Sequence, residues 1–105
     1  MIEHVALFKL KPGVDADKIE WMTRQTRIQL LKIPCVLGLR CGHRIDSGAE
    51  WAFFLTVELE SEEKLRIFLN APQRARFADK VLVPNTTEKL ELNFQTEPGG
   101  DPLLA

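Results

Sequence analysis

The stretch Trp51-Ala52-Phe53-Phe54-Leu55-Thr56-Val57-Glu58-Leu59-Glu60 decides how this chain folds. Side chains alternate sides along a strand. Phe53, Leu55, Val57 and Leu59 therefore share one face, and Ala52, Phe54 and Thr56 share the other. The middle is apolar on both sides, the pattern of a strand that is covered twice. Residues 2–11 repeat it. Ile2, His4, Ala6, Phe8 and Leu10 form one row, Val5 and Leu7 the other, with Glu3, Lys9 and Lys11 near the ends. Pro12-Gly13 closes this first strand.

Working outward, residues 15–31 carry Ile19, Met22, Thr26 and Leu30 at helical spacing, with Arg24, Gln25, Arg27 and Gln29 over much of the rest. That is an amphipathic helix. Asp15 or Asp17 caps it, and Pro34 stops it. Residues 36–45 form a weaker strand. Gly38 and Gly42 interrupt it, which indicates a bulge, a bend or an edge position. Asp46-Ser47-Gly48 is a turn signal.

Beyond the 51–60 strand, Ser61 caps a short helix with Leu65, Phe68 and Leu69 on one stripe. Asn70-Ala71-Pro72 breaks it, and Pro72 opens a second helical piece carrying Ala75, Phe77, Ala78, Val81 and Leu82. Residues 88–96 alternate Leu90, Leu92 and Phe94 against Glu91, Asn93 and Gln95, a final strand. Residues 97–105 contain Pro98-Gly99-Gly100 and Pro102 and read as a tail, whose Leu103-Leu104 suits docking on a partner. The expectation is one domain over residues 1–96 followed by that tail.

The order β-α-β-β-α-β is usually solved as an α+β fold: a four-stranded antiparallel sheet with the helices on one face. Its other face would be polar in a monomer. With helices over Val5, Leu7 and one row of the 51–60 strand, the row of His4, Ala6 and Phe8 is expected to stay bare. Burying three such side chains against a second copy is worth about 1.5–3 kcal/mol each. A homodimer paired through the sheet face is therefore expected.

Composition sets further bounds. The chain has 105 residues, 45% of them hydrophobic, enough for one core and too few for a second domain. The formal net charge is −1, without the basic stripe that nucleic-acid binding selects. No run approaches the roughly 20 apolar residues of a membrane span. Met1 leads almost directly into a strand with no export signal, so a cytoplasmic, reducing setting is expected, with Cys35 and Cys41 as free thiols. Their spacing matches neither a redox nor a zinc motif, and no metal or other cofactor is expected.

Four segments carry a family resemblance. Residues 1–14, MIEHVALFKLKPGV, closely resemble the opening of the stress-responsive dimeric α/β-barrel (Dabb) domains. Ile33-Pro34-Cys35-Val36 is similar to that family's I-P-G-V turn, and Ala71-Pro72-Gln73-Arg74-Ala75-Arg76-Phe77 to its H-P-x-H-x-x-F segment. Leu92-Asn93-Phe94 resembles its closing strand. The resemblance implies a ferredoxin-like chain whose dimer forms an α+β barrel, two sheets closing around one ligand pocket per subunit. Some members cyclise polyketides, with a strand-one histidine, a tyrosine, and a catalytic histidine held by an aspartate. Here the first is present as His4. Phe68 stands for the tyrosine, Arg74 for the catalytic histidine and Asn93 for its aspartate, while the other histidine of the motif is Ala71. Arginine stays protonated and cannot abstract a proton, so that cyclase mechanism is not expected.

The candidate ligand-binding residues are His4, Phe8, Phe68, Arg74, Phe77 and Asn93. His4 is the one candidate base. Arg74 offers a planar fork to a carboxylate or phosphate near a helix start, and Asn93 is placed to pair with it as the family counterparts pair. The expected ligand is a small apolar or aromatic molecule with one acidic or carbonyl group. Two alternatives stand beside this binding role. One is a cofactor-independent enzyme, monooxygenase-like or cyclase-like, acting on a small aromatic or polyketide-like substrate. The other is a structural, stress-associated dimer module.

Overall fold

The fold was examined in a computed structural model that describes residues 1–46, 48 and 50–97. The chain runs β1 (Ile2–Leu10), α1 (Ala16–Leu30), β2 (Gly38–His43), β3 (Phe53–Leu59), α2 (Glu62–Leu69), α3 (Pro72–Phe77), a π-helical turn (Ala78–Leu82) and β4 (Thr86–Gln95). The four strands form one antiparallel sheet in the order β2-β3-β1-β4. This is the expected β-α-β-β-α-β arrangement, with its second helix in pieces. The expected 97–105 tail, Glu97 aside, lies outside the described residues, and so does Ser47 of the expected turn.

Local chemistry fixes the helix ends. The Asp15 carboxylate accepts from the Lys18 amide at 2.9 Å, and the Ser61 hydroxyl from the Lys64 amide at 3.2 Å. Both bonds satisfy amides that the first helical turn leaves without partners. Pro72 sits in the first turn of α3, where a missing amide costs nothing. Past Phe77 the helix widens: the Val83 amide donates five residues back to the Ala78 carbonyl at 2.9 Å. Asn85 Nδ2 and the Thr86 hydroxyl then donate to the Val81 and Leu82 carbonyls at 2.7 and 2.8 Å, tying β4 to the end of that turn.

The core lies between the helices and one face of the sheet. Phe53, Leu55, Val57 and Leu59 of β3 are all buried there, with Met22 and Leu30 of α1 and Phe68 of α2. One expectation is overturned. Ile2, His4, Ala6 and Phe8, the row expected to stay bare, are the buried row of β1, and Val5 and Leu7 point away from the helices. The register supplies the reason. Ala6 is opposite Leu55 and Phe8 opposite Phe53, so the β1 row that joins the richer apolar row of β3 goes with it under the helices. Residues directly opposite in a sheet share a face.

The uncovered face is also apolar, with a different membership. Val5 and Leu7 are paired with Leu92 and Leu90 across β4 and with Thr56 and Phe54 across β3. Leu90, Leu92 and Phe94 are 39%, 43% and 49% exposed in the single chain. So the apolar row of β4 faces outward, and its polar row faces the helices. β2 is an edge strand, as its glycines suggested. A Cβ at Gly42 would come within 3.3 Å of the Phe54 ring, which explains the small residue there.

Candidate functional site

Beneath the helices the core is incompletely filled. A cavity of about 320 Å³ opens between the middle of β1, the helical segment from α2 to the π-helical turn, and the first half of β4. His4, Phe8, Phe68, Arg74 and Phe77, five of the six expected binding residues, line it. The sixth, Asn93, stands behind His4. The cavity therefore sits within one subunit, on the helix side of the sheet. The pocket expected between two sheets would lie on the opposite, uncovered face of this sheet.

His4 is opposite Asn93 across the β1–β4 ladder, and their side chains meet at 2.7 Å between Nδ1 and Oδ1. An amide oxygen only accepts, so Nδ1 carries the proton and donates. That leaves Nε2 with its lone pair free. Nε2 has no hydrogen-bond partner among the described residues, yet no fully buried side-chain nitrogen or oxygen among them lacks one. Nε2 therefore meets the cavity, which His4 lines. The imidazole packs against Phe68, with ring centroids 5.5 Å apart at 57°.

Arg74 differs from its expected role in two ways. It does not pair with Asn93, and it does not lie open at a helix start. Its guanidinium lies over Phe68, 5.6 Å from the ring centroid. Nη1 donates to the Leu69 carbonyl at 3.3 Å, where α2 ends and a cation is favoured. Nη2 donates to Glu91 Oε1 at 3.0 Å, with both side chains about a quarter exposed. Glu91 was not among the expected residues. Its signal was present: it stands two positions before Asn93 and must share its face. Lys89 and Glu88 complete the polar rim.

The second histidine and the tryptophan at the head of β3 lie away from this site. His43 is exposed on the edge strand, and Trp51 lies under the Lys9 ammonium, outside the cavity lining. Among the described residues no group of three or more His, Cys, Asp or Glu could hold a metal ion, and no helix is long and apolar enough to cross a membrane.

Burial lowers the pKa of His4 from its ordinary 6.5; the Asn93 bond and then the Glu91 charge oppose this in part, and the Arg74 charge adds the smallest effect, a lowering one. The imidazole is neutral at neutral pH. Below pH 6.5 the unfolded chain takes up a proton that the folded chain refuses. Stability should accordingly fall as pH drops from 6.5 toward the folded pKa and be unaffected by His4 above it. Urea midpoints at about pH 5 and about pH 7.5 check this. His4→Phe should shrink the difference between them; an unchanged difference would refute the assignment.

Three comparisons place this geometry among known proteins. The family model described as the stress responsive A/B barrel domain (Dabb) matches residues 2–93. No curated protein matches the sequence significantly. Among solved structures, a protein from Arabidopsis thaliana superposes with a TM-score of 0.80 at 18% identity, covering 95% of this chain and 99% of that one. A dimeric ferredoxin-like protein of unknown function from Thermobifida fusca gives a TM-score of 0.78 at 20% identity, covering 90% of each chain. An antibiotic biosynthesis monooxygenase gives 0.66 at 16% identity, covering 93% of this chain and 100% of that one. Such identities establish a shared ferredoxin-like α+β fold. With the family model spanning nearly the whole β-α-β-β-α-β unit, the chain belongs to the stress responsive A/B barrel domain family.

Proposed function

We propose that this protein is a homodimeric small-molecule binder, each subunit holding one apolar or aromatic ligand in its own cavity. The observation that carries this is a void of about 320 Å³ with apolar walls into which one neutral imidazole offers a lone pair. Pockets for small molecules have this make-up, mostly apolar with few convergent polar groups, and this one is at the small end of their range. His4 accepts a hydrogen bond from the ligand at Nε2. Asn93 fixes the ring tautomer, and the faces of Phe68, Phe8 and Phe77 select a flat molecule. The dimer forms through the uncovered sheet face. The dimeric neighbour of the same fold supports this, as does the outward row of Leu90, Leu92 and Phe94.

The experiment is calorimetric titration of the dimer with a neutral bicyclic phenol, β-naphthol. Saturable binding with about one site per subunit is expected. His4→Phe, which keeps a ring and removes the acceptor, should weaken it by about tenfold, the worth of one buried hydrogen bond. No binding to the wild-type protein would sink the reading.

The free lone pair also favours a second reading, a cofactor-independent enzyme in which His4 is the base. A buried neutral imidazole positioned by an amide is competent to take a proton from an acidic C–H or O–H. Oxygen-dependent consumption of an electron-rich phenol, abolished in His4→Phe, would support it over simple binding.

A further inference from the structure

We infer that Glu91 sets the charge of the ligand, making the cavity selective for neutral molecules bearing a hydroxyl or carbonyl oxygen over carboxylates. This rests on the cavity being the binding site and narrows what that site takes. Glu91 and Arg74 reach across the cavity rim from β4 and α3 and meet at 3.0 Å. The arginine's charge is thus already matched, while its donors are not used up. A guanidinium has five N–H groups, and Arg74 spends one on Glu91 and one on the Leu69 carbonyl. What remains is a hydrogen-bond donor without a free positive charge, which suits a carbonyl or hydroxyl oxygen.

The rest of the lining agrees. Arg74 and Lys89 are balanced by Glu88 and Glu91, with Lys89 Nζ 4.0 Å from the same Glu91 oxygen that Arg74 holds. Lys9, outside the lining, holds Glu88 at 2.6 Å and is itself matched by Glu50 at 3.6 Å. His4 adds no charge, since burial keeps it neutral. A carboxylate approaching Arg74 meets the Glu91 carboxylate beside it, in a part-buried setting where two like charges disfavour each other. It must either lie beside the Glu91 carboxylate on the spare Arg74 N–H groups or displace it. A neutral oxygen displaces nothing. The sequence expectation of an acidic or carbonyl ligand is thereby reduced to the carbonyl, with a hydroxyl able to serve His4.

The test is a pair of probes of matched shape, β-naphthol and β-naphthoate, titrated calorimetrically against wild-type dimer, Glu91→Gln, and the double variant Glu91→Gln with Arg74→Gln. Glu91→Gln is isosteric at a position already partly exposed. Wild type should prefer the naphthol by about tenfold or more, Glu91→Gln should move the ratio at least about tenfold toward the naphthoate, and the double variant should lose that gain. Equal binding of both probes to wild type overturns the inference and leaves the cavity reading standing. So does a ratio unmoved in Glu91→Gln. Binding of neither probe to any form overturns the cavity reading and the inference together.

Discussion

Leu92→Glu should convert the protein from dimer to monomer. Leu92 lies on the uncovered face in the edge strand β4, opposite Val5, with Leu90 and Phe94 two residues away on either side. In the single chain it is 43% exposed, so a glutamate there stays hydrated and the subunit loses little. In the proposed dimer the same site is covered, and two-fold symmetry places the charge in the interface twice. Burying an unpaired carboxylate costs several kcal/mol even after relaxation. At 1.4 kcal/mol per decade, the dimer should weaken by at least about two orders of magnitude. Light scattering across a dilution series measures this. A dimer as tight as wild type would remove this face from the interface. Had the His4 row been the pairing face, as the sequence suggested, Leu92→Glu would matter far less than a substitution at Ala6.

The second large effect is on folding. Phe68 is 1% exposed and touches two polar residues of the cavity, His4 by a tilted ring contact and Arg74 by its face. Phe68→Ala removes that ring from a region that is already underfilled. Truncating a buried phenylalanine costs about 3–5 kcal/mol, a large part of the 5–15 kcal/mol that holds a domain of this size. The structure cannot collapse into the gap easily, because β1 and β3, on which α2 packs, are fixed in register. A fall in Tm of roughly 10 °C or more is expected in calorimetry. The enlarged cavity should still admit β-naphthol at low temperature, more weakly, because His4 Nε2 remains while its wall does not. A shift of only a degree or two would show that Phe68 is not part of the core.

These residues also show what a sequence can and cannot reveal here. Element order was legible because each element carries its own signal. Ser61 and Asp15 mark helix starts, Pro72 marks a new helical piece, and the strands alternate with period two. The resemblance of residues 1–14 and 71–77 to one family pointed to the same fold. Which face of β1 is covered was not legible. Its two rows are both apolar, so periodicity alone is degenerate. Ala6 opposite Leu55 and Val5 opposite Thr56 break the tie, and that register is set between strands some fifty residues apart.

The site was partly legible for the same reason. His4, Phe8, Phe68, Arg74 and Phe77 each came from a local motif, and the fold brings them to one cavity. Their partners came out differently. Asn93 holds His4 because the two are opposite in the β1–β4 ladder, and Arg74 takes Glu91 instead. Family correspondence suggested Arg74 with Asn93, the analogue of a histidine held by an aspartate. That pairing depended on a charge attraction which asparagine in place of the aspartate cannot supply. Asn93 has no charge to offer an arginine, and Glu91, on the same row, does.

The central claim is that the ligand site lies inside each subunit, beneath the helices, and the measurement that tests it most directly is site-resolved. Amide and histidine-ring resonances are followed while β-naphthol is titrated into the labelled dimer. The account predicts that His4 Nε2 and the amides of Phe68, Arg74 and Phe77 shift together along one saturation curve, while Val5, Leu7 and Leu92 stay in place. Shifts confined to Val5, Leu7, Leu90 and Leu92, with His4 unmoved, would put the ligand between the two sheets and contradict it.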